Sequence, residues 1–363
     1  MRVIMTGGGT GGHIYPAIAI ADEIRRRDPS AEILFVGTER GMEKDIVPRS
    51  GYPIKFVTVQ GLNRSNPLKN IETLRVYRNG LRQSDEIMDS FRPDVVIGTG
   101  GYVCGPVVRS ASKKKIKTYI HEQNAFPGIA NKMLSRHTDR VFMAFAEAEK
   151  YFKTKIPPMT VGNPVRRAFA ETDKAEARRK LGLPEDDFVI LGFGGSLGAA
   201  VLNREIMSLA TKLEGAPGIH VLFATGKRYY KDIMEHAHPE DDNIRYMEYI
   251  DDMPVYLAAC DLAITRSGAL TVSEIAACGK PAVMIPSPNV TGNHQFFNAK
   301  VLADRGAAVL IEEKDLKPGL VIDTVLKLAC DRDRLDEMEK ASKALGRTDA
   351  AEAICDEIGV RKQ

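Results

Sequence analysis

The feature that most constrains this chain is a recurring kind of segment: a short apolar run, rich in β-branched residues and without polar alternation. RVIMT (2–6), EILFVG (32–37), PDVVIGTG (93–100), KTYIHE (117–122) and DRVFMAF (139–145) are of this kind in the first half. FVILGFGG (188–195), HVLFATG (220–226), DLAITR (261–266) and PAVMIP (281–286) repeat it in the second. A run without alternation suits a strand covered on both faces, and strands separated by helical stretches are joined as parallel βαβ units. The stretch from Pro16 to Arg27 is one such helical pattern. The fold class that follows is α/β with parallel sheets.

The rhythm breaks at Gly162-Asn163-Pro164, which continues neither strand nor helix, and then restarts. At roughly 150 residues per domain, 363 residues make two domains. The expected division is 1–163, 164–340 and a helical tail, 341–363. With 44% hydrophobic and 27% charged residues, the composition excludes disordered and fibrous classes. No apolar run approaches the roughly 20 residues that span a bilayer, and the N-terminus turns glycine-rich too early for a signal-peptide core. Five scattered cysteines without a C-x-x-C pair exclude a disulfide framework and a zinc cluster, and fit a reducing cytoplasm.

Thirteen of the 31 glycines fall in three windows, Gly7 to Gly12, Gly98 to Gly105 and Gly192 to Gly198, each between an apolar run and a helical pattern. Glycine there permits a tight turn and close approach to a ligand, and the following helix N-terminus favours an anion. Together the windows point to phosphate or sugar-nucleotide binding. None ends in the Gly-Lys-Ser/Thr of a Walker A loop. A dinucleotide fingerprint can be laid on Gly7, Gly9 and Gly12, but the acid expected after the second strand is only Glu39.

His13 closes the first glycine loop, where it can serve as general base or as a capping residue. His121, Glu122, Gln123 and Asn124 follow a strand, at the carboxyl edge where parallel sheets bind ligands. In 265–281, Glu274 can pair with vicinal sugar hydroxyls or simply answer the helix dipole. His294, Gln295 and Asn298 cluster beyond it, with His294 and Asn298 on one helix face. There is no H-E-x-x-H motif, and Asp331-Arg332-Asp333 reads as a solvated helical charge run, so neither metal nor cofactor is expected.

The motifs GGGTGGH (7–13), GTGGYVCGP (98–106), HEQNAFPGIANK (121–132), GNPVR (162–166), GGSLGA (194–199), RSGALTVSEIAACGKP (266–281) and NHQFFNA (293–299) occur in one order. In this the chain resembles the MurG family, bacterial N-acetylglucosaminyltransferases that act on undecaprenyl-pyrophosphoryl-MurNAc-pentapeptide. The resemblance runs from residue 1 to about residue 310. It implies a GT-B fold: two Rossmann-like domains facing across a cleft, with the C-terminal helices returning towards the first. It implies transfer of GlcNAc from UDP-GlcNAc to the 4-hydroxyl of MurNAc in lipid I, giving lipid II with inversion and without an Asp-x-Asp metal site.

By motif position, the resemblance puts Thr10, Gly11, Gly12, Asn124, Arg166, Ser196, Ile250, Ala269, Leu270, Thr271, Glu274, Gln295 and Asn298 on the donor. Gly100, Gly101, Tyr102, His121 and Glu122 are the expected acceptor contacts. Leu197 departs from the glutamine common in GGSQGA. The alternatives are another GT-B sugar-nucleotide enzyme, such as a lipid glycosyltransferase or a UDP-GlcNAc epimerase, and a nicotinamide-dependent oxidoreductase built on the first loop.

Residues 61–120 carry eleven Lys/Arg against five Asp/Glu, a local excess of +6 within a net charge of +3. This stretch lacks aromatic interleaving and any nucleic-acid motif, so nucleic acid is not expected as a partner. On a helix over 70–88, Ile71, Leu74, Tyr77 and Leu81 share a face bordered by Arg75, Arg78 and Arg82, with Lys113, Lys114, Lys115 and Lys117 in the same half. Such a face can lie on an anionic bilayer or pack against the sheet. With a membrane-anchored acceptor, the expectation is peripheral docking on the cytoplasmic face of the plasma membrane.

Overall fold

The apolar runs become strands whose interiors are buried along their length. The computed structural model describes residues 1–61, 70–195, 197–237 and 242–360, with backbone alone at 70–72. In the first unit the strands are β1 (Arg2–Gly7), β2 (Glu32–Gly37), β3 (Ile54–Phe56), β4 (Val95–Gly100), β5 (Lys117–Glu122), β6 (Arg140–Met143) and β7 (Met159–Thr160). They form one parallel sheet in the order β3-β2-β1-β4-β5-β6-β7. In the second unit, β8 (Phe188–Phe193), β9 (Ile219–Ala224), β10 (Ile244–Met247), β11 (Leu262–Thr265), β12 (Ala282–Met284) and β13 (Ala308–Leu310) form a parallel sheet in the order β10-β9-β8-β11-β12-β13.

Polar alternation is missing because helices cover both faces. Val3 and Met5 of β1 pack into the cluster under helix Gly11–Arg27. Ile4, between them, faces the cluster under helices Asn70–Phe91 and Cys104–Lys113. In each sheet the strand order reverses once, at β1/β4 and at β8/β11. Loops leaving the carboxyl ends of such a strand pair turn to opposite faces, which opens a place for a ligand.

The units comprise 1–165 with 349–363, and 166–348. The expected tail 341–363 is therefore divided. Helix Arg332–Leu345 stays in the second unit, while helix Ala350–Glu357 packs on Gly11–Arg27 in the first. Ile354, Cys355, Ile358 and Val360 enter the first unit's core. Arg27, only 3% exposed, anchors the return: it donates to Glu23 at 2.6 Å, to the Glu352 and Val360 carbonyls at 3.0 Å each, and to Asp356. Burial raises the Glu23 pKa, but hydrogen bonds from Arg26 and Arg27 outweigh it and hold this carboxyl at about 2.

Candidate functional site

The first unit's glycine loops meet at its switch point. The Gly8 amide donates to the Gly100 carbonyl at 3.2 Å. Gly101 (φ +87°) sits so close to the Gly8 carbonyl that a Cβ there would overlap it, which requires glycine. Gly100 (φ +115°) lies under the His13 ring, where an added Cβ would come within 2.8 Å of Nε2. Thr99 Oγ1 donates to the His13 carbonyl at 2.7 Å.

His13, half-buried in the first turn of helix Gly11–Arg27, places Nδ1 3.2 Å from the Gly8 carbonyl and 3.1 Å from Thr10 Oγ1. A carbonyl only accepts, so this contact assigns the proton to Nδ1 and makes Nε2 the basic nitrogen. Thr10 and Tyr102 are exposed, and the first-turn amides of Gly11 and Gly12 have no intrahelical acceptor.

At the end of β5 the structure turns two expected acceptor contacts inward. His121 is fully buried; its Nε2 donates to the Gly162 carbonyl at 2.9 Å and its Nδ1 accepts from Gln123 Nε2 at 2.9 Å. Burial pushes its pKa down to about 4. Glu122, 1% exposed, is equally occupied. Oε1 accepts from the Asn124 amide and Nδ2, each at 3.0 Å, while Oε2 accepts from the Gly128 amide at 3.1 Å and Asn131 Nδ2 at 2.9 Å. Both side chains stitch the loop that carries Asn124. Asn124 itself is half-buried at that loop's surface.

The second unit gathers its polar residues beyond β8, β11 and β12. Gly198 (φ +77°) and Gly226 (φ +84°) abut, and Asn203 Nδ2 donates to the Thr225 carbonyl at 2.7 Å, bracing the β8 loop. Ser196 lies outside the described residues, and Leu197 beside it is 71% exposed. Beyond β11, Ser267 Oγ donates to the Gln295 carbonyl at 2.8 Å, and Gln295 Oε1 accepts from the Ser287 amide at 2.8 Å. Asn298 is fully buried and donates to the Ser267 carbonyl at 3.2 Å, so it supports the turn from within. Ile250 is also buried, 4% exposed, past the end of β10.

Gly268 caps helix Ala269–Ala277, whose first turn carries Ala269, Leu270 and Thr271. Glu274 follows on that helix, half-buried, with no hydrogen bond to its carboxylate among the described residues. Burial pushes its carboxyl up to about 7, and the Arg166 guanidinium pulls it partly back. A carboxylate kept short of hydrogen bonds is poised to accept from a ligand's hydroxyls.

Arg266 carries no motif signal of its own, yet it donates to the Ile285 carbonyl at 2.8 Å and pairs with Glu313, tying the β11 turn to the chain beyond β12 and β13. Glu43, equally without a motif signal, is buried inside the first glycine loop. Among the described residues no group of three or more His, Cys, Asp or Glu is placed to hold a metal ion, and no helix is long and apolar enough to cross a membrane.

The expected surface stripe is split. On helix Asn70–Phe91, Thr73, Gly80, Ser84, Ile87 and Met88 are the buried positions, and Tyr77 leans on Gly105. Leu74 is 54% exposed, Leu81 is half-buried, and Arg75, Arg78 and Arg82 are exposed. Ile71 lies outside the described side chains. Lys113, Lys114 and Lys115 precede β5 and Lys117 opens it, at the sheet edge opposite the glycine loops.

Two doubly wound parallel sheets, each with a glycine loop and a polar turn at its switch point, define a sugar-nucleotide-type enzyme of the GT-B fold class. Residues 3–143 match the glycosyltransferase family 28 N-terminal domain, and residues 189–354 its C-terminal domain. The chain is 45% identical over 355 residues to an Acetivibrio thermocellus protein named UDP-N-acetylglucosamine--N-acetylmuramyl-(pentapeptide) pyrophosphoryl-undecaprenol N-acetylglucosamine transferase, covering 98% of this chain and 96% of that one. An Alkaliphilus metalliredigens protein of the same name is 43% identical over 361 residues, covering 99% and 98%. The crystal structure of Acinetobacter baumannii MurG superposes with a TM-score of 0.81 at 28% identity, covering 98% of this chain and 99% of that one. The chain belongs to glycosyltransferase family 28, within the family of these N-acetylglucosamine transferases.

Proposed function

We propose that this chain transfers GlcNAc from UDP-GlcNAc to the 4-hydroxyl of MurNAc in lipid I, forming lipid II with inversion. The observation that carries the reading is 45% identity sustained over 98% of the chain to a transferase named for that acceptor. In the reaction the acceptor oxygen bonds to the anomeric carbon as the bond from that carbon to the UDP oxygen breaks. UDP leaves with the electron pair, and the acceptor's proton passes to a base.

The second unit binds the donor. Glu274 accepts from the ribose hydroxyls, Ala269, Leu270 and Thr271 border the nucleotide, Arg166 faces its phosphates, and Gln295 meets the GlcNAc. Asn298 and Ile250, both buried, shape this site from beneath. Ser196 completes this unit's donor contacts by motif. In the first unit Gly100, Gly101 and Tyr102 border the acceptor, and His13 Nε2 takes the proton. His121 and Glu122 act through the loop they organise. Support for His13 is its tautomer, set by the Gly8 carbonyl, and its place over Gly100.

The chain works at the cytoplasmic face of the plasma membrane, where its acceptor is anchored. Leu74 with Arg75, Arg78 and Arg82 is the contact with anionic lipid; the lysines of 113–117 are not part of it. The deciding experiment measures UDP release with UDP-GlcNAc alone and with a lipid I analogue added. Release that depends on the analogue is expected, whereas release or epimerisation without it points to another sugar-nucleotide enzyme.

A further inference from the structure

We propose that Glu43 is a positioning residue for His13, acting through the single peptide unit between Gly8 and Gly9. Glu43 is fully buried. Its Oε2 accepts from the Gly9 amide at 2.9 Å, and its Oε1 accepts from the Thr38 amide at 2.9 Å and from Thr38 Oγ1 at 2.7 Å. None of these partners is a cation. The carboxylate is therefore an internal anion held by neutral donors, as a phosphate is held by a glycine loop.

The surrounding glycines admit it. A Cβ on Gly8 would lie 2.5 Å from Glu43 Oε1, and one on Gly37 would lie 2.6 Å from Glu43 Cγ. These positions make room for a side chain of the protein. A ligand phosphate at the Gly9 amide would sit against this carboxylate, so the first loop takes no phosphate at that amide.

The amide that Glu43 accepts from and the carbonyl that His13 contacts belong to the same peptide unit. The Gly9 N–H points to Glu43, and the Gly8 C=O, antiparallel to it within the same peptide plane, meets His13 Nδ1 at 3.2 Å. A carboxylate bonded to the N–H fixes the plane and polarises its carbonyl into a better acceptor. This holds the imidazole with Nδ1 protonated and Nε2 basic. Glutamine cannot replace glutamate here, because its amide offers one acceptor oxygen to two backbone N–H groups that face opposite oxygens.

The proposal rests on the reading of His13 as the base, and the test separates the two. In the full chain, Glu43→Gln should lower kcat roughly ten- to hundredfold, with the UDP-GlcNAc KM within about twofold of wild type. In a His13→Ala background the same substitution should lower the residual kcat by less than about twofold, since its route is gone. Equal losses in both backgrounds would show a purely structural role and overturn the proposal. NMR titration of the His13 ring needs no turnover: loss of the carboxylate should lower its midpoint by about half a pH unit. An unchanged midpoint in folded Glu43→Gln overturns the coupling even if His13 proves not to be the base. Should that variant not fold, Thr38→Val, which removes one donor and keeps the carboxylate, carries the same cycle and titration with smaller shifts of kcat and midpoint; no shift in either overturns the proposal.

Discussion

Replacing Glu274 by glutamine should move stability and donor affinity in opposite directions. In the free protein burial holds this carboxyl at about 7, against an ordinary 4.5. Between those values the folded chain keeps a proton that the unfolded chain has released, so stability falls as pH rises through the window. At 1.36 kcal/mol per pH unit, the gap makes the ionised side chain cost about 3 kcal/mol of stability above pH 7. Glutamine carries no charge and escapes that cost. At pH 8 the variant should therefore unfold helix Ala269–Ala277 with a free energy raised by as much as about 3 kcal/mol, while at pH 4.5 the two proteins should agree. Hydrogen exchange of that helix's amides reads this locally, avoiding the assumption that two units unfold as one.

Affinity should behave in reverse. If the carboxylate accepts from ribose hydroxyls, wild-type UDP-GlcNAc binding should weaken about tenfold for each pH unit below about 7, the fraction ionised falling in step. Calorimetry across pH 5.5 to 8.5 should show this slope in wild type and a flat, weaker profile in Glu274→Gln, with about 1.5–3 kcal/mol lost at pH 8. Removing the Arg166 charge should shift the wild-type midpoint upward, because that guanidinium favours the ionised form. A variant less stable than wild type at pH 8, or one that keeps the same pH slope for donor, would refute the reasoning.

His13→Ala should depress kcat by roughly 10²–10⁴ with donor binding intact; a loss under tenfold, measured by UDP release, would leave His13 a capping role. Arg27→Ala leaves Glu23 with Arg26 alone and takes the donors from the Glu352 and Val360 carbonyls, which should cost about 1–3 kcal/mol, seen as early hydrogen exchange in residues 350–360. On falling pH the wild-type Arg27–Glu23 contribution should hold above 4.5 and be lost toward about 2, since the folded carboxyl is depressed. Converting Arg75, Arg78 and Arg82 to Glu should abolish salt-sensitive sedimentation with anionic vesicles, each basic residue contributing about 1 kcal/mol; a triple variant that still pellets fully moves the docking surface elsewhere.

The parallel α/β class, the two halves and the edge at which each glycine loop lies are legible in the amino-acid sequence alone. Those properties come from local chemistry: a strand buried on both faces needs an unbroken apolar run, and a tight strand-to-helix turn needs glycine. The sequence also carried the family, through motifs whose order along the chain survives without coordinates. The direction of polar side chains at the strand ends was decided by tertiary structure. A residue such as Glu122 or Asn298 can meet a ligand or bond the backbone of a neighbouring loop, and both uses favour the same residue type at the same place. His121 reads as a ligand in sequence and is a buried brace in the fold. Glu39, the acid considered for a nucleotide role, is exposed, while Glu43, four residues on, fills the first loop. Only the packing of β2's exit against the β1 loop brings that carboxylate to the Gly9 amide, because the partners lie 34 residues apart and nothing local to either one marks the contact.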